Sequence, residues 1–244
     1  MTESANARRS AVVFGARNLG RAVIELLVAE DWAVTGVARS EATLAGVTSA
    51  GALAIQGDVT DQASVREVLE AAAAAHSGVQ LVVNAAAAYG GDRSGPFGGG
   101  PIAEAPADAF DSWAAAPARS AFTFLSATSA FLLAQGTPAT IVQATGGSSR
   151  RAAAGRGLWA AGAFGVRALT QAAALELRGQ GIHVALLIID AGIQPLAELD
   201  AREGNEAMAD PRELAASVLY LADQGARSAT HELQVTPLAE RWVP

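Results

Sequence analysis

The sequence contains no cysteine, which excludes disulfides, thiol redox chemistry and cysteine-ligated zinc. Tyrosine is scarce too: Tyr89 and Tyr220 are the only two, so a phenol acting as acid or base has two candidates. Long apolar runs are missing. No uninterrupted stretch reaches the roughly 18 residues of a membrane span. The run "VALLIID", within residues 184–190, has the length of a buried strand instead. An excess of positive charge is also missing. The net charge of −7 argues against a nucleic-acid partner, because phosphate backbones favour a basic face. The opening "MTESANARRS" carries two arginines with no apolar segment behind them, so it does not read as a secretory signal. Residues 1–9 read as a short disordered tail. These features predict a soluble, cytoplasmic protein that engages neither membrane nor nucleic acid.

What is present suffices for one large core. The chain has 244 residues, of which 51% are hydrophobic, and that suits a single α/β domain over 10–244. Apolar strand-like runs occur at 11–15, 32–38, 51–58, 79–86, 139–145 and 182–190, with a short last one at 231–235. Helical spacing follows most of them. Asp61 and Asp210 stand where helix caps belong, with Pro211 in the first turn of the latter helix. Residues 107–134 read as one alanine-rich helix, interrupted at Pro117, and 157–179 as another. Strand runs without polar alternation, separated by helices, predict a doubly wound parallel sheet with helices on both faces. Ligands of such sheets bind beyond the carboxyl ends of the strands. One such end leads into "YGGDRSGPFGGGPIAEAPAD" (89–108), a Gly- and Pro-rich loop expected to be mobile and to border a small-molecule ligand.

The first strand-to-helix turn reads "VVFGARNLGRAV". Gly15 permits a sharp turn and Gly20 a close helix approach. The helix start at Asn18 and Leu19 offers N–H groups to a pyrophosphate. The second strand ends "VARSE", with Ala38 where an NAD-selective site places a carboxylate. Arg39 follows, and Arg17 lies in the glycine turn. Two guanidinium groups there suit a ribose 2′-phosphate, which favours NADP(H) over NAD(H). Asp58 in "GDV" could accept from an adenine amino group, or serve only as a turn residue.

These pieces in this order resemble the short-chain dehydrogenase/reductase family over about residues 10–236. The landmarks are the glycine turn, "GDV", "VVNAA", "RALTQAAALEL", "IIDAGI" and "VLYLAD" with "ELQV". The resemblance implies a Rossmann-type fold and a dinucleotide site formed by Gly15, Arg17, Asn18, Leu19, Gly20, Arg39, Asp58, Val59, Asn84, Ala85 and Ile193. It also implies hydride transfer between a nicotinamide and a carbonyl or alcohol. Pairing of the helices at 107–134 and 157–179 across a two-fold axis would give a homodimer or homotetramer. The glycine turn is one residue shorter than the family's, near Asn18. The family uses an Asn-Ser-Tyr-Lys tetrad. Aligned here, Ser120, Gly146, Trp159 and Ala163 fall on its four positions. An indole N–H is a donor only, and an alanine methyl carries no charge. Substitute acids could be Tyr89, beside the cofactor groove, or Asp190, just before "AGI". Ser148, Ser149, Arg150 and Arg151 could hold an anionic group or be plain loop residues. Tyr220 reads as core. His76, His183 and His231 lie on separate elements, so the sequence shows no metal cluster.

Overall fold

The computed structural model describes residues 8–87, 95–199 and 205–240. Strand β1 (Ser10–Phe14) leads to helix α1 (Leu19–Ala29), β2 (Ala33–Ala38) to α2 (Glu41–Ser49), and β3 (Leu53–Gln56) to α3 (Gln62–His76). Strand β4 (Leu81–Asn84) leads through a long connection to α4 (Ala116–Gln135), and β5 (Ala139–Gly146) to α5 (Gly157–Leu177). After β6 (Ile182–Ile189) come a single turn, α6 (Leu196–Leu199), then α7 (Pro211–Ala222) and β7 (Glu232–Val235). The strands form one parallel seven-stranded sheet in the order β3-β2-β1-β4-β5-β6-β7. Every residue of β1 and β4 is buried, as expected of central strands covered on both faces.

Alternate strand residues feed two hydrophobic layers. Val13, Val83 and Leu187 pack beneath α1 and α7 with Val23, Leu27, Val218 and Leu221. Phe14, Val82, Ile141 and Val184 face α3, α4 and α5 with Leu69, Phe124 and Leu177. The rings of Phe14 and Phe124 meet edge-on at 5.7 Å, pinning α4 to the sheet centre. Order reverses between β1 and β4, the place where ligands of such sheets bind.

Local chemistry sets the helix starts. Asp61 accepts from Ala63 N at 3.0 Å, and Asp210 from Arg212 N at 2.7 Å. Pro117 does not interrupt its helix. A π-helical turn, Asp111–Ala115, precedes it, and Ala116 N donates to Asp111 O. The widened turn accommodates a ring that an ordinary turn would crowd. Two residues of the expected tail are fastened. Arg8 pairs with Asp31, while Arg9 pairs with Asp223 at 2.6 Å and covers the Trp32 ring. Tyr220, expected in the core, lies on the outer face of α7 and is exposed.

Candidate functional site

The β1–α1 turn can be built only with glycine at position 15. Its φ is +84°, and a Cβ there would stand 2.5 Å from Ala86 N. This close approach places the glycine turn against Ala85 and Ala86 at the end of β4. Leu19 and Gly20 are buried at the start of α1. That helix has no side-chain cap, although Asn18 stands at its N-cap. The Asn18 amide turns away, donating to Gln194 O at 3.1 Å and accepting from Leu196 N at 2.8 Å. The glycine turn is thereby tied to the segment after β6. Ile193 lies in that segment, half-buried and bridged to Ala209.

Arg17 and Arg39 are both exposed, after β1 and β2 respectively. Arg39 reaches Asp58 at 3.8 Å. Asp58 Oδ1 accepts from the backbone and hydroxyl of Thr60, which is the behaviour of a turn residue. Val59 beside it is buried. Asn84 is buried at the end of β4. Its amide donates to Gln143 at 3.0 Å and its Oδ1 accepts from Ala86 N, so it shapes the strand end. The structure thus brings Gly15 and Asn18 to the same end of the sheet as Asn84, Ala85 and the segment that carries Ile193. Arg39 and Asp58 lie at the neighbouring ends of β2 and β3.

The start of α5 carries an aromatic cluster. Trp159, near the start of α5, packs with Phe97 at 4.7 Å and with Trp113 at 5.7 Å between ring centroids. Phe97 and Trp113 meet at 5.1 Å, and Arg156 stands over Phe97. Phe97 belongs to the Gly-rich stretch, whose Gly100 bridges to Arg156. The described part of that stretch therefore lies down on α5. Tyr89 falls outside the described residues. Ala163 and Ser120 are buried within α5 and α4. Gly146 ends β5 beside Ile189, and the space a side chain would take there is open. The sequence contains no lysine: all 17 basic residues other than histidine are arginine. That count was readable from the sequence and bears directly on the tetrad.

Asp190 follows β6 and is 9% exposed. Its Oδ2 accepts from Arg151 at 2.7 Å and from Gln234 at 3.2 Å. Gly147 carries no side chain where one would overlap the Asp190 carboxyl. Arg151 therefore serves a carboxylate, and Arg150 does likewise, reaching Glu232 at 3.5 Å. Ser149 is buried and donates to Gly146 O at 2.9 Å. The sequence allowed these residues two uses, anion site or plain loop; Ser149, Arg150 and Arg151 are engaged in internal pairing. Glu232 itself accepts two bonds from Arg167, at 2.7 and 2.9 Å, and one from Gln171. Burial pushes its pKa up, but the Arg167 and Gln171 hydrogen bonds, with the charges of Arg167 and Arg150, outweigh that and hold it below its ordinary value. This brace joins α5 to β7. Sequence reading missed it because its members are 65 positions apart.

A cavity of about 780 Å³ lies between the chain after β6 and the chain after β7. Gln194, Met208, Leu214, Gln234 and Pro237 line it. Gln234 links it to Asp190. Among the described residues, no three His, Cys, Asp or Glu side chains gather as a metal site, and no helix is long and apolar enough to cross a membrane.

Comparison with known proteins agrees with this architecture. The family model described as short chain dehydrogenase matches residues 9–194. The chain belongs to the short-chain dehydrogenase family. Among curated proteins, none matches it. Solved structures share the fold. An alcohol dehydrogenase from Thermococcus sibiricus, complexed with 5-hydroxy-NADP, is 20% identical with a TM-score of 0.77, over 97% of this chain and 100% of that one. A metagenomic short-chain oxidoreductase in complex with NADP is 23% identical with a TM-score of 0.71, over 95% and 98%. An NADPH-bound short-chain oxidoreductase from Pseudomonas aeruginosa PAO1, described as containing an atypical catalytic center, is 22% identical with a TM-score of 0.77, over 96% and 98%.

Proposed function

We propose that the chain binds NADP(H) at the strand ends but lacks the proton machinery of its family. It then acts as a binding or regulatory protein, or through non-standard chemistry. One observation supports this reading: the chain has no lysine, and the alignment drawn from the resemblance assigns Trp159 and Ala163 to the helix positions of the phenol and the ammonium. The uncapped start of α1 offers N–H donors to a pyrophosphate, which fits a dinucleotide. Arg17 and Arg39 would take the 2′-phosphate, with Arg39 leaving the long contact to Asp58. A bound nicotinamide would supply or accept a hydride. The chain would offer the developing alkoxide an indole cluster instead of an acid, and losing a general acid costs about 10²–10⁴ in rate. Homodimers or homotetramers would form through α4 and α5, which expose Phe122, Leu133, Phe164 and Leu175. Calorimetry with NADPH and NADH, together with absorbance assays on a carbonyl panel, tests the reading. Tighter NADPH binding without turnover supports it.

A second reading is an NADP-dependent reductase whose acid is Asp190. The near-burial of its carboxyl at the end of β6, linked through Gln234 to the cavity, favours it, and Arg151 would have to release that carboxylate before it could carry a proton. The relative from P. aeruginosa with an atypical centre keeps the oxidoreductase description. Loss of turnover in Asp190→Asn would establish this reading.

A further inference from the structure

Asn18 stands at the N-cap of α1, yet its side chain caps nothing. It reaches across to the segment after β6 and makes two bonds to backbone there. Nδ2 donates to Gln194 O at 3.1 Å, and Oδ1 accepts from Leu196 N at 2.8 Å. A carbonyl can only accept and a backbone N–H only donate, so both bonds fix the same orientation of the amide. One side chain thus closes a contact between segments 176 and 178 positions apart.

The far side of this contact is itself supported. Gln194 is 6% exposed. Its N donates to Ala209 O at 3.0 Å, and Ala209 N donates to Gly192 O at 2.8 Å. Its Oε1 accepts from Asn205 N at 3.0 Å. Leu196 opens α6 and packs against the layer beneath α1 and α7. Gln194, Asn205, Met208 and Ala209 all line the cavity of about 780 Å³. Asn18 therefore grips a built wall and not a loose loop end.

The grip lies where an anion would approach. The middle glycine of a dinucleotide turn lets the backbone come close to the pyrophosphate. This turn is a residue shorter, and it carries the Asn18 side chain beside the uncapped N–H groups of α1. Those two bonds hold Gln194 O within one side chain's length of the helix start. A carbonyl oxygen and a phosphate oxygen compete for the same donors and repel each other.

We propose that Asn18 is an autoinhibitory clasp. It holds the Gln194–Leu196 segment across the start of α1, and a pyrophosphate reaches the helix N–H groups only after the clasp opens. The inference rests on the reading that the chain binds NADP(H) at these strand ends. Only the open fraction of molecules is competent, so the apparent affinity falls by that fraction. Opening also frees Gln194 from the glycine turn, which couples cofactor entry to the wall of the cavity.

The test compares the full chain with Asn18→Gly, which removes the clasp without adding charge and suits an N-cap at little cost. NADPH should bind the variant about tenfold more tightly by calorimetry, and associate faster in stopped flow, since two hydrogen bonds no longer have to break. A second readout needs no cofactor: amide exchange at Leu196 should be slow in the parent and fast in the variant. The chain has no cysteine, so Asn18→Cys with Leu196→Cys forms a pair with no competing thiol. Its oxidised form should exclude NADPH, and dithiothreitol should restore binding. Thermal midpoints verify folding, and should Asn18→Gly unfold, the cysteine pair decides. Unchanged or weaker binding by Asn18→Gly, fast exchange at Leu196 in the parent, a pair that fails to cross-link, or equal binding by its oxidised and reduced forms would each overturn the clasp. Slow exchange at Leu196 with no NADPH binding by parent or variant would instead remove the dinucleotide reading, and the gating role with it.

Discussion

Trp159 and Phe97 pack with their ring centroids 4.7 Å apart and their planes tilted by 45°, so a side chain of the Gly-rich loop covers the indole at the start of α5. Trp113 closes the cluster from α4's leading turn. A phenol acting on substrate would need an open face here. The expected consequence is that Trp159→Tyr alone creates no reductase. The triple change Trp159→Tyr, Ala163→Lys and Gly146→Ser should yield measurable NADPH oxidation where the double change without Gly146→Ser yields little. Position 146 has room for the hydroxyl. Equal activity of the double and triple variants would show that the hydroxyl partner is dispensable.

Gly15 is the most sensitive position of the glycine turn. Gly15→Ala would place a methyl against the Ala86 backbone and force a left-handed φ on an alanine. Strain of this kind costs on the order of 1–3 kcal/mol, before any overlap with Ala86 is counted. Chemical denaturation should show that loss, and NADPH binding should vanish with it.

Arg39 and Arg17 are expected to set cofactor choice. Arg39→Ala should weaken NADPH binding by about tenfold, because a charge-assisted hydrogen bond contributes about 1.5–3 kcal/mol. NADH binding should change little. An equal loss for both cofactors would remove the 2′-phosphate from the account.

How much of this was legible beforehand varied with the range of the interactions. Strands such as "AVVFG" and "ALLII" declare themselves because a buried parallel strand needs no polar partner. The caps at Asp61 and Asp210 are local, so spacing reveals them. Helix α2 gave no comparable signal: Gly46 and the β-branched Thr43, Val47 and Thr48 weaken its propensity, and Val47 is its only buried residue. Arg8, Arg9 and Tyr220 were misplaced because their surroundings come from distant segments. At the crevice, the glycine turn was readable from spacing. Pairings such as Arg151 with Asp190 depend on which strands become neighbours, and no local pattern encodes that.

Acid should loosen the fold through two groups with different pH windows. Glu232 has a lowered pKa, so its contribution is full above the ordinary carboxylate range and fades as pH falls through the lower folded value. His76, hydrogen-bonded to buried Thr35, has a pKa lowered by burial and by the charge of Arg8. The unfolded chain takes up that proton first, so stability declines as pH drops below 6.5. Glu232→Gln should cost about 1–3 kcal/mol at neutral pH and flatten the lower part of the profile. A thermal midpoint that is insensitive to pH across both windows would contradict the assignment.

Assembly is checked by mass. Light scattering should report a dimer or tetramer, and Phe122→Asp with Phe164→Asp should give monomers by placing charge on the exposed α4–α5 face. A monomeric parent protein would remove the interface.

The most direct measurement follows NADPH by calorimetry and by absorbance in the same preparation of the parent protein, across a panel of ketones and aldehydes. The account predicts saturable binding, tighter than that of NADH, with negligible oxidation of the cofactor. Robust turnover, abolished by Asp190→Asn, would contradict it.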